Sequence, residues 1–222
     1  MSASPAANDA NDPHVRRQLE ALLGTERVRT DRRTLELCAL DFSEERLAVP
    51  ELVVEPATTD EVAAIARIAR SADMPIVPRG GGMSYTLAAV PREPRSIVVD
   101  LRRLNGLIEL SVASRYVTVE TGMTWAQLRE RLRGSGMRPP FLGTLSGLHA
   151  TIGGGLAQGA AGVGRGHLAD CVLGLQVVLA DGRVLHTGAG AARDTEPFLR
   201  NFGPDLSGLF LGDSARSESR PK

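Results

Sequence analysis

Apolar and polar positions follow helical spacing in some parts of this chain and strand spacing in others. Between His14 and Leu23 the apolar residues recur three and four positions apart, and Gly24 then ends the predicted helix. A second helix begins at Thr58, with Glu61 in the third position of a capping box, and continues to about Ala72. Strands are predicted at three short apolar runs, residues 52–54, 76–77 and 97–100.

The second half of the chain predicts short strands at 107–110 and 116–120, followed by a helix that Thr124 caps. Alternation from Cys171 to Leu179 predicts a further strand, in which Cys171 is a buried residue and not a nucleophile. The pair Asp181–Gly182 between two strand-like runs predicts a hairpin. These elements together indicate an α/β (α+β) fold.

Other segments lack such patterns. Residues 1–12 are small and polar and are expected to be disordered. Residues 25–50 are charged and irregular and predict a surface connector, so we place a helical N-terminal extension at 13–45. The regular domain is expected at 46–214, with a first subdomain at 46–103 and a second at 104–214.

Charge and composition exclude several classes of protein. The chain has 26 basic and 26 acidic residues, which argues against a nucleic-acid partner. No apolar run reaches the roughly 20 residues of a membrane span, and the N-terminus does not resemble a signal peptide, so a cytoplasmic location is expected. The two cysteines and four histidines lack metal-ligand spacing. The only lysine is Lys222, which excludes a Walker loop and a Schiff-base lysine.

A glycine-rich stretch follows the strand at 76–77, with the sequence Pro78-Arg79-Gly80-Gly81-Gly82-Met83-Ser84-Tyr85. Backbone without Cβ atoms can approach a ligand closely and present several N–H groups, and Arg79 adds positive charge. This chemistry suits a phosphate or pyrophosphate, although a surface turn is the alternative interpretation. A second glycine-rich stretch, Thr151-Ile152-Gly153-Gly154-Gly155, suggests one large anionic ligand held from two sides.

A Rossmann site is the first rival for this ligand. The pattern Gly164-x-Gly166-x-x-Ala169 matches its fingerprint, but no strand precedes it and no helix is predicted after it. We therefore interpret this match as chance.

Five ordered motifs are similar to another family. They are Pro78–Ser84, Val98–Leu101, Val117–Trp125, Thr151–Gly154 and Leu175–Gly182. In this order and spacing the chain resembles, over about residues 46–214, the FAD-binding domain of the vanillyl-alcohol oxidase and p-cresol methylhydroxylase flavoproteins (the PCMH type). Flavin subunits of glycolate oxidase and D-lactate dehydrogenase belong to the same group.

The resemblance implies a two-subdomain fold with FAD between the subdomains. It implies that Arg79, Gly80, Gly81, Gly82, Met83 and Ser84 wrap the pyrophosphate, and that Thr151, Ile152, Gly153 and Gly154 line the flavin. Gly159, Gly162 and Gly166 would continue that wall, with close backbone packing as the alternative, and Val177 would border the adenine. Some relatives bind FAD covalently through a histidine at the position of Met83, so non-covalent FAD is expected here; His149 is an alternative anchor that we do not favour.

The C-terminus departs from the family. Members usually continue with Gly-Ala-Leu-Gly-Ile and a substrate domain, whereas residues 215–222 form a polar, unpatterned tail. A single-nucleotide deletion after codon 214 accounts for all of these residues under one choice of codons, and natural variation is the alternative. The resemblance thus implies an oxidoreductase that oxidises an alcohol by hydride transfer to flavin, with a missing substrate domain or partner subunit. No catalytic residue can be assigned, and a non-catalytic remnant is the other hypothesis.

Overall fold

The structure, a computed structural model, describes residues 13–43, 45–139, 141–142, 146–164, 166–188, 191, 200–201 and 203–214. The predicted disordered segment at 1–12 and the tail at 215–222 lie outside the described residues. In the part that the structure describes, no helix is long and apolar enough to cross a membrane, and no group of three or more His, Cys, Asp or Glu side chains could hold a metal ion.

Four strands form the first sheet, in the order β1-β2-β4-β3. They are β1 (Val28–Arg29), β2 (Leu52–Val54), β3 (Ile76–Arg79) and β4 (Ile97–Asp100). β2 and β3 both lie parallel to β4, and β1 pairs antiparallel with β2. β2 and β4 are apolar and buried along nearly their whole length because both faces of the sheet are covered. The three strands predicted in this region are confirmed.

Three helices cover the two faces of this sheet. They are α1 (Pro13–Leu23), α2 (Arg32–Cys38) and α3 (Thr59–Ser71). α1 and α3 lie on one face, where Leu19 and Ile65 pack with Leu52 and Val54. α2 lies on the other face, where Cys38 packs with Val53 and Val98. Alternate residues of β2 therefore point into two separate apolar clusters.

The prediction of an irregular connector over residues 25–50 is wrong in its first half. Residues 28–29 form the edge strand β1, and α2 begins after Asp31, whose carboxylate accepts a hydrogen bond from the Thr34 N–H. Charged side chains at 26–36 hide these elements from a periodicity search, because Val28 is the one buried residue of β1 and Cys38 the one buried residue of α2. The N-terminal segment therefore belongs to the core of the sheet.

Glu61 joins the start of α3 to the segment before β1. Thr58 accepts a hydrogen bond from the Glu61 N–H, as predicted, but the Glu61 carboxylate bonds the Ala57 N–H at 2.6 Å instead of closing the predicted reciprocal box. Both carboxylate oxygens also accept hydrogen bonds from Arg27, each at 2.9 Å. Burial tends to raise the pKa of Glu61, but the hydrogen bonds from Arg27 and Ala57 together have a larger and opposite effect. The pKa of Glu61 therefore lies below the ordinary 4.5.

Replacing Glu61 by Gln is expected to lower the free energy of unfolding by about 2 kcal/mol near neutral pH, because Arg27 loses its bidentate partner. Because the pKa of Glu61 is lower in the folded than in the unfolded protein, its carboxylate stabilises the fold above pH 4.5. This stabilisation is lost as the pH falls through the folded-state pKa and Glu61 becomes protonated. Denaturant titrations should therefore show the two proteins converging below pH 4.5. Glu36→Gln, in the exposed pair with Arg32, is the control and should change little. If wild type and Glu61→Gln differ in stability by the same amount near neutral pH and below pH 4.5, the stabilising role of the Glu61 carboxylate is contradicted.

The second half of the chain contains short elements around another apolar cluster. Its elements are β5 (Leu107–Ser111), β6 (Tyr116–Val119), α4 (Trp125–Arg131), β7 (Phe141–Leu142), α5 (Ile152–Ala157), β8 (Val163–Gly164), β9 (Gln176–Val178) and β10 (Val184–His186). β5 and β6 form an antiparallel hairpin, and Thr124 caps α4 in a reciprocal box with Gln127. Met123, Leu128 and Ile152 are buried together between these elements.

The hairpin predicted at Asp181–Gly182 is confirmed, since β9 and β10 pair with Val178 opposite Val184. The predicted strand at 171–179 is wrong over its first half, because residues 168–171 form a 3-10 helix and the strand begins at Gln176. Cys171 is consequently half-buried in that turn and not a strand residue. Burial and the neighbouring Asp170 raise the pKa of its thiol, which disfavours the thiolate that a nucleophile needs.

Candidate functional site

The first glycine stretch leaves the carboxyl end of β3, where ligands of parallel sheets commonly bind. Residues 79–84 are half-buried, and Gly82 has φ +68°, a left-handed conformation that favours glycine. We call residues 79–87 the glycine loop. Its position directly after the end of a strand is the one that the sequence predicted.

Part of the glycine loop has a run of backbone donors that no described residue accepts from. Among the residues that the structure describes, the N–H groups of residues 80–84 have no hydrogen-bond acceptor. Five consecutive half-buried donors without partners are unusual, because most buried backbone N–H groups are hydrogen-bonded. They fit an anionic oxygen-rich group such as a pyrophosphate. The residues present therefore suit the phosphate portion of a nucleotide.

The second glycine stretch has the opposite property. The Ile152 N–H donates to the Met123 carbonyl at 2.8 Å, Gly153 N–H donates to Thr121 at 2.9 Å, and Gly154 N–H donates to the Thr151 hydroxyl at 3.2 Å. The side chains of Thr151 and Ile152 are buried, the latter in the Met123 cluster. This stretch can offer a wall to a ligand through the half-buried backbone of residues 153–154, but few donors.

The two glycine stretches contact each other directly. A Cβ atom on Gly81 would overlap the His149 carbonyl oxygen and lie 2.7 Å from its carbonyl carbon, and one on Gly80 would overlap the Thr151 hydroxyl. Thr86 adds a hydrogen bond of 2.7 Å to Gln158, just after α5. The structure thus brings together the two predicted groups: Gly81 leaves room for the His149 backbone, and Gly80 leaves room for the Thr151 side chain.

The remaining predicted site residues lie in different surroundings. Gly159 is exposed and faces Gly212, and Gly162 is exposed. Gly166 is also exposed and lies beside Asp170. Gly159 and Gly166 have positive φ, at +56° and +65°. These three exposed glycines lie before and after β8 along the chain.

Val177 is half-buried in the β9–β10 hairpin, which packs on α3. Gln176 accepts a hydrogen bond from Thr59 at 3.0 Å, and the Gly182 carbonyl accepts one from Arg67 at 3.2 Å. Among the described residues, these hydrogen bonds join the hairpin to the helical side of the first sheet and not to the glycine loop. Through its hairpin, Val177 has no hydrogen-bonded connection to the glycine loop among the described residues.

Arg79 contacts protein in this structure. Its guanidinium donates to the carbonyls of Ala89 at 3.3 Å, Leu37 at 3.4 Å and Cys38 at 3.5 Å. Sequence reasoning missed the residues around α2 that surround the loop, including Asp41. The Asp41-x-Ser43 pair, which is typical of a local side-chain turn, is the signal that could have indicated them.

Comparisons with known proteins identify the class. Residues 50–188 match the family model described as "FAD binding domain". The chain is 31% identical over 211 residues to probable D-lactate dehydrogenase, mitochondrial, from Danio rerio, covering 93% of this chain and 41% of that protein. It is 29% identical over 202 residues to glycolate oxidase subunit GlcD from Bacillus subtilis, covering 89% of this chain and 41% of that protein.

Solved structures have the same fold. p-Cresol methylhydroxylase with substrate bound matches with a TM-score of 0.79 and 24% identity, over 93% of this chain and 41% of that chain. Alkyldihydroxyacetonephosphate synthase matches with a TM-score of 0.77 and 20% identity, over 92% of this chain and 41% of that chain.

The fold and the glycine loop define a PCMH-type FAD-binding domain, which confirms the fold class and the resemblance. The chain belongs to the FAD-binding domain family, and its relatives include oxidoreductases of D-lactate and glycolate by name. It spans about 41% of the length of those two relatives.

Proposed function

We propose that residues 46–214 hold FAD as the cofactor-binding part of an oxidoreductase, with subdomains at 46–103 and 104–214. The observation that carries this proposal is the row of five N–H groups in residues 80–84 without acceptors among the described residues. Family membership supports FAD as the nucleotide. We assign the pyrophosphate to the glycine loop, because its run of unpaired donors directly follows the carboxyl end of β3.

The other site residues take supporting roles in this proposal. Gly153 and Gly154 offer backbone against the flavin, and Thr151 and Ile152 anchor that backbone from the buried side. Gly159, Gly162 and Gly166 extend the wall with accessible backbone. Arg79 contributes positive charge from behind the loop, and Met83 and Ser84 contribute their N–H groups. Val177 has the weakest support, since its hairpin packs on α3.

Bound FAD would supply a two-electron acceptor that takes a hydride at N5 from an alcohol, such as a 2-hydroxy acid or a phenolic alcohol. The chain's own residues hold and orient this cofactor and exclude water from one side of it. The names of the D-lactate and glycolate relatives support the alcohol class. The cytoplasm remains the proposed location, although the Danio rerio relative is named as mitochondrial.

Purified protein incubated with FAD and freed of excess ligand is expected to retain about one flavin per chain and to release it on acid precipitation. The physical reason is that Met83, at the position of the family's attachment histidine, cannot form a bond to flavin. The visible spectra of the supernatant and of the pellet measure this outcome. A yellow pellet would contradict non-covalent binding, and a colourless protein that also fails to bind FAD in a titration would overturn the proposed function.

A second candidate is a flavin-binding subunit or catalytically inactive remnant that needs a further domain or partner chain. The observation behind it is that one relative, which this chain matches over 41% of its length, is named a subunit. Adding D-lactate or glycolate to the FAD-loaded chain without oxygen separates the candidates. Bleaching of the oxidised flavin band would identify an active oxidoreductase, and an unchanged band would identify a passive binder.

A further inference from the structure

We propose that residues 37–43, which precede the part matched by the family model, brace the glycine loop, and that Asp41 is the positioning residue for FAD binding. We call residues 37–43 the brace. This inference rests on the proposed function for its ligand, but the contacts themselves are independent of any ligand. They reach the loop at its start, its middle and its end.

The start of the loop is held by Arg79. Its guanidinium donates to the carbonyls of Leu37 and Cys38, at 3.4 and 3.5 Å, and so joins the end of β3 to the end of α2. A third bond, to the Ala89 carbonyl at 3.3 Å, connects the chain that leaves the loop. Each bond is long and individually weak, but together they give the charged group a fixed position behind the glycines.

The end of the loop is held by Asp41. One carboxylate oxygen accepts a hydrogen bond from the Leu87 N–H at 3.0 Å, and the other accepts from the Ser43 N–H and hydroxyl at 2.9 and 2.6 Å. Asp41 is buried, with 8% of its surface exposed. Leu87 has φ +59°, a left-handed conformation that a bulky side chain rarely adopts. The bond from Asp41 stabilises the loop in this conformation.

The middle of the loop is held by Phe42. Its N–H donates to the Ser84 carbonyl at 2.8 Å, and its ring packs on Tyr85 with centroids 5.7 Å apart. The Ser84 carbonyl is thereby engaged from the brace side, while the N–H groups of residues 80–84 are left without acceptors among the described residues. The brace therefore pre-organises the donors, which reduces the entropy that FAD binding must overcome.

Replacing Asp41 distinguishes the brace from simple charge repulsion, because the two predict opposite changes in FAD affinity. A carboxylate beside the loop repels a pyrophosphate, so its removal would strengthen FAD binding if electrostatics alone acted. The brace predicts the opposite outcome. In Asp41→Asn, an isosteric change, one of the two oxygens becomes an NH2 group that cannot accept a hydrogen bond, and the loop loses its fixed shape.

FAD dissociation constants measured by flavin fluorescence test this proposal. For Asp41→Asn the dissociation constant is expected to rise about tenfold, the scale of one lost charge-assisted hydrogen bond. Asp31→Asn also removes one negative charge, but at the N-terminal cap of α2 and outside the brace. It should change the dissociation constant of FAD less than about twofold. Ser43→Ala removes one hydrogen bond to Asp41 and should raise the dissociation constant of FAD by less. This variant replaces Asp41→Asn in the test if Asp41→Asn does not fold. Binding as tight as or tighter than wild type in Asp41→Asn or, should that variant not fold, in Ser43→Ala would overturn the proposal.

Hydrogen exchange in the ligand-free protein separates the brace from the proposed function. The Phe42 N–H, which donates to Ser84 and not to Asp41, should exchange faster in Asp41→Asn but not in Asp31→Asn. If the wild type binds no FAD, the proposed function fails, and this exchange rate alone decides the brace. Unchanged protection of Phe42 in Asp41→Asn would then overturn it.

Discussion

Gly81→Ala is expected to abolish FAD binding and to lower the free energy of unfolding by about 3 kcal/mol, the upper part of the range for overpacking. A Cβ atom on Gly81 would overlap the His149 carbonyl oxygen and approach the Ala150 nitrogen to 3.3 Å. These are backbone atoms, so no side-chain rotation relieves the contact. The glycine loop and the segment before α5 must move apart. Denaturant unfolding and FAD titration measure the two effects.

Gly155→Ala is the matched control, placed in α5 of the second glycine stretch. Its Cβ atom would lie 3.5 Å from Leu168 Cδ2 and 3.5 Å from Trp125 Nε1, which is ordinary van der Waals contact. Alanine also favours a helix over glycine by about 1 kcal/mol. This variant should therefore bind FAD normally and be as stable as the wild type or slightly more so. Equal losses in both variants would show that the glycines are not distinguished by their neighbours.

Leu19→Ala is expected to lower the free energy of unfolding by about 3 kcal/mol, because it deletes a fully buried side chain and leaves a cavity. Leu19 lies on α1 and is 0% exposed. It packs against Ile65 of α3 and against Leu52 and Val54 of the first sheet. The sequence places α1 in an extension outside the FAD-binding domain, and a loosely attached extension would tolerate this change. Denaturant unfolding followed by circular dichroism measures the difference.

Leu37→Ala is the control for this experiment, since its side chain in α2 is 59% exposed and only its carbonyl contacts Arg79. Its effect should stay within about 0.5 kcal/mol of wild type. If Leu19→Ala also unfolds with wild-type stability, α1 is not part of the cooperative core. The domain boundary predicted at residue 46 would then stand, and otherwise the folding unit extends back to α1.

The elements that sequence patterns predicted correctly are those whose burial is nearly complete or strictly periodic. β2 and β4 are apolar throughout because helices cover both faces of their sheet, and such runs are easily recognised. Thr58 and Thr124 mark the starts of two helices, because each side chain accepts a hydrogen bond from the N–H group three positions later. Asp181–Gly182 likewise determines a turn locally.

The errors arise where distant contacts override a local pattern. Residues 171–175 alternate like a strand, but Gly174 lies against the Thr187 carbonyl and the paired strand starts only at Gln176. Residues 28–29 carry an arginine and still form a strand, because β2 offers an edge to pair with. Neither pairing partner is visible in a local window of sequence.

Local patterns were sufficient to predict the class of fold, the two glycine-rich stretches and their order along the chain, because strand runs, caps and glycines act through their nearest neighbours. What each stretch can do depends on contacts that form only in the folded chain. Whether a backbone N–H is free for a ligand depends on which carbonyls the fold brings to it. Met123 and Thr121 accept hydrogen bonds from the second stretch, whereas the brace contacts the Ser84 carbonyl and the Leu87 N–H of the glycine loop. The N–H groups of residues 80–84 are left without acceptors among the described residues.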